Sequence, residues 1–305
     1  MFQKLRTVFH PLIIVVGFGM TLGSCSRKSE DSDASETKAS EAPVTFQGNL
    51  SEGNSFTNAP NMTMAEMPSA GSALNLEFEA REFSELSDEQ KAALQSLIEE
   101  FRKDPNRRAE ILEEIESNYY GAEILSLVRE IMGMGDESIS VQALEMLGGN
   151  TSPDIIPVLD QALGNASEDV RLAAVYASSQ VRDDSFVEFI GKSFEDKSES
   201  VRLTGLDLLE NQTKQNRFKV YDKAMTSSHS DVNMAAVMSL EIESNIDSID
   251  ILIKGMESPD PEVRLEAATS LEFQLDQNFE SAKQAKDWWT KNRNRYDEDL
   301  FPKDS

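Results

Sequence analysis

One thiol, Cys25, and two imidazoles, His10 and His229, are the whole cysteine and histidine complement of 305 residues for nucleophilic, general-base or metal-ligand chemistry. A Ser-His-Asp or Cys-His relay needs a base oriented by a third group, and zinc or iron centres need several clustered His, Cys or carboxylate ligands. His10 lies beside an apolar N-terminal run, which leaves His229 as the single base for any such relay. No catalytic residue, metal ligand set or cofactor is therefore assigned, and the chain is not read as an enzyme. Met62, Met64 and Met67 have a thioether spacing that soft Cu(I) accepts, so a copper-binding sensor is the chemical reading of that cluster. Ala65 and Glu66 interrupt the alternation and neither Cys nor His supports it, which favours a transiently sticky apolar patch in a linker. The 55 acidic side chains include carboxylate pairs, but no pocket motif gathers them, and such charges are ordinarily solvated faces.

Charge narrows the partners. Lys and Arg total 29 against 55 Asp and Glu, a net charge of -26, which repels phosphate backbones and anionic lipid surfaces. Nucleic acid is excluded on this ground. The acidity itself has two readings that charge does not separate: solubility or a salty habitat, and recognition of a basic partner.

The N-terminal residues concern export. Lys4 and Arg6 precede the apolar run Pro11–Leu22, which is too short to span a bilayer comfortably and has the layout of a secretory signal. Leu22-Gly23-Ser24-Cys25 follows and resembles the bacterial lipobox, in which small residues admit the signal peptidase ahead of a cysteine whose thiol is then diacylated. The resemblance implies a signal peptide over residues 1–24 and lipid attachment at Cys25, with membrane contact through that anchor alone. In a double-membrane bacterium, Ser26 after the lipidated cysteine implies the outer membrane.

From 25 to 84 the sequence is rich in Ser, Glu, Asp, Asn and Gly, with no helical or strand period, and is expected to be a disordered acidic linker. Such a coil has a root-mean-square reach on the order of 40 Å.

The segment from 85 to 276 carries the organising signal. Ile139, Val170, Val201, Val232 and Val263 stand 31 residues apart, and two further columns keep the register: Val141, Leu172, Leu203, Met234 and Leu265, then Ala143, Ala174, Gly205, Ala236 and Ala267. Upstream in each unit lie Leu125, Ile156, Val187, Phe218 and Ile249, followed three and seven positions on by further apolar columns ending in Leu252 and Met256. Offsets of three and four define helix faces, so each unit is two helices, A and B. Asp136, Ser167, Ser198 and Asp260 are candidate caps for the B helices. Leu94, Leu97 and Phe101 add a degenerate unit at the N-terminal end, while residues 277–305, with Trp288 and Trp289, form a C-terminal capping helix and tail.

These columns, with Asp/Glu-Val-Arg-Leu opening helix B, resemble the HEAT superfamily, most nearly the HEAT-like repeats of phycobilisome-lyase type, over roughly Ser87 to Asp276. The resemblance implies an all-α fold, a right-handed α-solenoid of about five to six two-helix repeats, whose B helices line the inner curve. It also implies that Arg171, Arg202 and Arg264 form a polar ladder between repeats, weakened where Ser140 and Asn233 replace the arginine. Lyase activity does not carry over, because its tetrapyrrole-bearing substrates are intracellular. A HEAT-like hydroxylase holds iron with His-Glu pairs, and this sequence has none.

On the B helices, positions three, six and ten after the column valine lie off the apolar stripe. Tyr176, Met238, Ile242 and Phe273 there would offer apolar anchors beside the acids Glu145, Asp207 and Glu266. The expectation is an exported, membrane-anchored scaffold that binds an unidentified protein with a basic and partly apolar surface. The rival is a structural or assembly role in an envelope complex, made through the ends of the stack.

Overall fold

The computed structural model describes residues 78–303, and Cys25, the apolar run before it and the Met62–Met67 cluster lie outside them. The described residues are all-α, with thirteen helices and no strand. Helix α1 (Asp88–Lys103) opens at Ser87, whose hydroxyl accepts from the Gln90 amide while Gln90 reaches back to the Ser87 amide, a reciprocal cap. Helix α2 (Arg108–Asn118) packs against it.

Five helix pairs follow: α3 (Ile124–Met132) and α4 (Glu137–Glu145), α5 (Ile156–Leu163) and α6 (Glu168–Ala177), α7 (Asp184–Ser193) and α8 (Glu199–Asp207), α9 (Lys214–Ala224) and α10 (Ser230–Ile242), α11 (Ile246–Gly255) and α12 (Pro261–Leu275). The chain closes with α13 (Ala282–Asn292). Helix α4 touches α6, α6 touches α8, α8 touches α10 and α10 touches α12, while α3, α5, α7, α9, α11 and α13 make a second row of neighbours.

The 31-residue columns explain the packing. Val170, Val201, Val232 and Val263 are fully buried, and so are Ala143, Ala174, Ala236 and Ala267. At the Gly205 position, a methyl group would meet Ile190 Cγ2 at 2.9 Å and Ser193 Oγ at 3.1 Å, so α7 and α8 approach at a distance only a hydrogen allows. Asp136, Ser167 and Asp260 cap their helices through backbone amides. Ser198 holds the N-cap position of α8 without a capping bond, its hydroxyl donating instead to Glu168 at 2.8 Å.

The arginine column bridges successive pairs, but its acids come from positions the repeat does not mark. Arg171 grips Asp196 through Nε at 2.7 Å and Nη2 at 3.0 Å, and Arg202 donates to Asp231 at 3.0 Å. Neither uses the neighbouring Asp169 or Ser200. Among the described residues, Arg264 reaches only the carbonyls of Ser258 and Pro259. At one of the departures, Asn233 replaces the guanidinium with an amide that bonds the Ala224 and Ser227 carbonyls.

One stretch corrects the sequence reading. Residues 78–84, assigned to the linker, are an extended strap packed across the C-terminal ends of the helices that form the first row. Ser84 N donates to Tyr120 O at 2.8 Å, Arg81 N to Gly149 O at 2.7 Å, Thr151 N to Arg81 O at 3.0 Å, and Gln180 Nε2 to Phe78 O at 3.1 Å. The Arg81 guanidinium stacks 3.9 Å from the Tyr120 ring centroid. Gly148 and Gly149 make room: a side chain at the first would strike the Phe78 ring, and at the second, where φ is +80°, the Glu79 carbonyl. The strap bonds once every three residues, a period of neither helix nor half-buried strand, so pattern reading passes over it.

Candidate functional site

The first-row helices α4, α6, α8, α10 and α12 carry the positions off the apolar stripe, and burial divides those positions sharply. In the column three after the valine, Ala173 and Thr204 are buried, with the Thr204 hydroxyl donating to Ser200 O at 2.7 Å, and Gln142, Ala235 and Glu266 are half-buried. Helices α6 and α8, which carry the two buried residues, each have a like neighbour on both flanks, which widens the apolar face beyond a single stripe. In the column ten after the valine, Gly149 and Gln180 lie under the strap, whereas Ile242 is 78% and Phe273 75% exposed. One turn before Ile242, Met238 is 55% exposed. Tyr176 is half-buried and packs on the core, so it is less an anchor than a wall of the row.

The acids behave unevenly along the row. Burial raises the Glu145 carboxyl above the usual carboxylate range, and the charge of Glu116 raises it further. Asp207 keeps an exposed edge, yet partial loss of hydration around its carboxyl raises its pKa. Glu266 is half-buried. The charged form of Glu145 is thus less favourable in the folded chain than in the unfolded one, so it lowers stability fully above its raised pKa and ceases to do so only as pH falls below the unfolded value. Glu145→Gln is expected to raise the melting temperature at about pH 7 and to lose that advantage at about pH 3, where both states carry the proton. A gain that is equal at both values in thermal unfolding followed by circular dichroism would assign the effect to packing.

Among the described residues, the remaining chemistry-bearing groups do not assemble a relay. His229 occupies the N-cap of α10, while the neighbouring Ser228 hydroxyl donates directly to Glu195, with no imidazole between serine and carboxylate. Among the described residues no cluster of three His, Cys, Asp or Glu side chains is placed to hold a metal ion, and no helix is long and apolar enough to cross a membrane.

On the second row, a groove of about 950 Å³ has Val187, Phe218 and Ile251 among its apolar lining residues. Its rim charges pair with each other: Lys223 with Glu188 at 3.0 Å and Lys219 with Asp184. Sequence reasoning missed this groove because Val187 and Phe218 belong to a core column and Ile251 lies between two core columns, so nothing in the pattern marks them as reached from outside.

At the C-terminal end, Trp289 is buried and Trp288 half-buried, within an aromatic cluster that includes Phe279 and Tyr296. Leu265, by contrast, is 68% exposed, whereas Val141, Leu172, Leu203 and Met234 in the same column are partly buried. Among the described residues no helix follows α12 in the first row, and α13 joins the second row instead.

No protein-family model matches the chain, and it matches no curated protein at a significant level.

Proposed function

We propose that this chain is an exported, lipid-anchored scaffold that binds another protein through its first row of helices. In this reading the paired helices are HEAT-like repeats wound into a right-handed α-solenoid, whose inner curve is that row. Cys25 carries the anchor and the acidic linker supplies reach. The observation that carries the reading is the exposure of Met238, Ile242 and Phe273 on two adjacent helices of the first row. Fully burying one such side chain contributes roughly 1.5–3 kcal/mol, and a partner would gain that on each. Glu145 and Asp207, along the same row, favour a partner whose apolar ridge is flanked by basic groups.

The test is crosslinking in the native cell, comparing wild type with Met238→Ala/Ile242→Ala after circular dichroism has established folding. Partner retention is expected to fall about tenfold or more, as for loss of central anchors. Undiminished retention by the folded variant rejects the reading. A second reading, assembly through the end of the stack, is favoured by the exposed Leu265 beside Arg264, which among the described residues bonds carbonyls where Arg171 and Arg202 grip carboxylates. Loss of retention in Leu265→Ser alone would select it.

A further inference from the structure

The stack ends on half a unit. Helix α13 packs against α11 and extends the second row, but among the described residues no helix stands beside it in the first row. The start of α12 nevertheless keeps the fittings of an inner junction. Arg264 Nη1 donates to Ser258 O and Pro259 O, each at 2.8 Å, as Arg171 Nη1 donates to Asn165 O at 3.1 Å and Ala166 O at 3.0 Å. Arg202 Nη1 is held in the same way by Asp196 O at 2.8 Å. In Arg171 and Arg202 the edge formed by Nε and Nη2 takes a carboxylate from the next unit. In Arg264 that edge has no partner among the described residues. Leu265, beside it, is exposed, whereas Leu172, Leu203 and Met234 are partly buried where a first-row helix follows.

We propose that this end takes one helix from another protein, an amphipathic helix with an aspartate in its first turn, which lies along α12 where the first-row helix of a sixth unit would stand. A guanidinium fixed through Nη1 leaves two parallel N–H donors, the geometry that selects a carboxylate. A lone helix can bring that carboxylate without a preceding turn, because Asp231, which pairs with Arg202, is the second residue of α10. An acid in the first turn also suits the helix that carries it, since the N-terminus is the positive end of the macrodipole. The apolar stripe of the incoming helix would cover Leu265.

Charge favours the same occupant. Lys286 and Lys291 on α13, and Arg295 just after it, form no ion pair among the described residues, so an acidic helix meets a basic end of an otherwise acidic chain. A second copy of this chain fits poorly. Its terminal first-row helix is α2, and α1, packed against α2, would enter the second row where α13 already stands. The inference rests on the second reading above, assembly through the end of the stack, and names what docks there.

The probe is a fluorescent synthetic peptide copying residues 229–243, which contain α10 and Asp231, acetylated and amidated at its ends and titrated onto the full chain. Saturable binding of one peptide per chain is expected. Asp231→Asn in the peptide or Arg264→Gln in the chain should each weaken binding about tenfold, as for loss of a charge-assisted hydrogen bond. The two together should weaken it no further, because both remove the same contact. A peptide with Asp231→Lys should bind the Arg264→Glu chain better than it binds the wild-type chain, once circular dichroism has established that the variant folds. Absence of saturable binding, or equal binding by the Asp231→Asn peptide, overturns the proposal. The assembly reading is tested apart from it: loss of partner retention in Leu265→Ser cells alongside a failed titration rejects the acidic helix alone, and full retention alongside peptide binding rejects the assembly reading alone.

Discussion

Asp196→Ala is expected to cost about 3–5 kcal/mol of folding stability, the range for removing one partner of a buried ion pair. Arg171 is 3% exposed and Asp196 6%, and the two carboxylate oxygens take parallel bonds from the guanidinium. Asp196 also accepts from the Ser198 amide at 2.8 Å, at the start of α8. Without it, Arg171 keeps bonds to the carbonyls of Asn165 and Ala166 but has no counter-charge. Adding Arg171→Met to Asp196→Ala should restore part of the loss, because the stranded charge leaves with it. Urea unfolding of the four chains measures the cycle. The exposed pair Lys192–Asp160 provides the contrast: Lys192→Ala should cost less than about 1 kcal/mol. A cost below that figure for Asp196→Ala would show that the junction between these units does not depend on the pair.

Phe189→Ala is expected to cost about 3–5 kcal/mol, as for truncation of a fully buried aromatic ring. Phe189 has no solvent exposure and sits in α7, which packs against α5, α8 and α9. Helices here contact sequence neighbours, so the hole should loosen α5 through α9 first and leave α1 and α13 nearly as protected as before. Hydrogen exchange resolved by segment reads this. A uniform fall in protection would show that the described residues open as one unit.

What was legible in the sequence was whatever repeats. The columns from Ile139 to Val263 and from Ala143 to Ala267 mark the helix faces because 31 residues return each unit to the same place, and within a unit the offsets of three and four belong to a helix. The ladder acids escaped because Asp196 and Asp231 follow their arginines by 25 and 29 residues, so no column contains both. Thr204 and Ala173 were placed on an open face because a single-stripe helix would expose them, and only a neighbour on each flank buries them. Of the candidate anchors, Met238, Ile242 and Phe273 reach solvent while Tyr176 is held against the core. The strap was invisible for a different reason. Its contacts are with residues up to 102 positions away, and its three-residue step serves the geometry of the helices beneath rather than any periodicity of its own.

That separation sets an order on synthesis. Phe78 leaves the ribosome 102 residues before Gln180, roughly 5–20 s earlier at ordinary elongation rates. During that interval a segment able to pair along its backbone has no seat to occupy and would invite pairing with other nascent chains. Glu79, Glu82 and Glu85 interrupt it at the three-residue interval of its contacts, and all three remain in solvent after docking. Their place in the finished fold is slight, and their value lies in keeping the waiting strand apart from its neighbours until its own helices arrive.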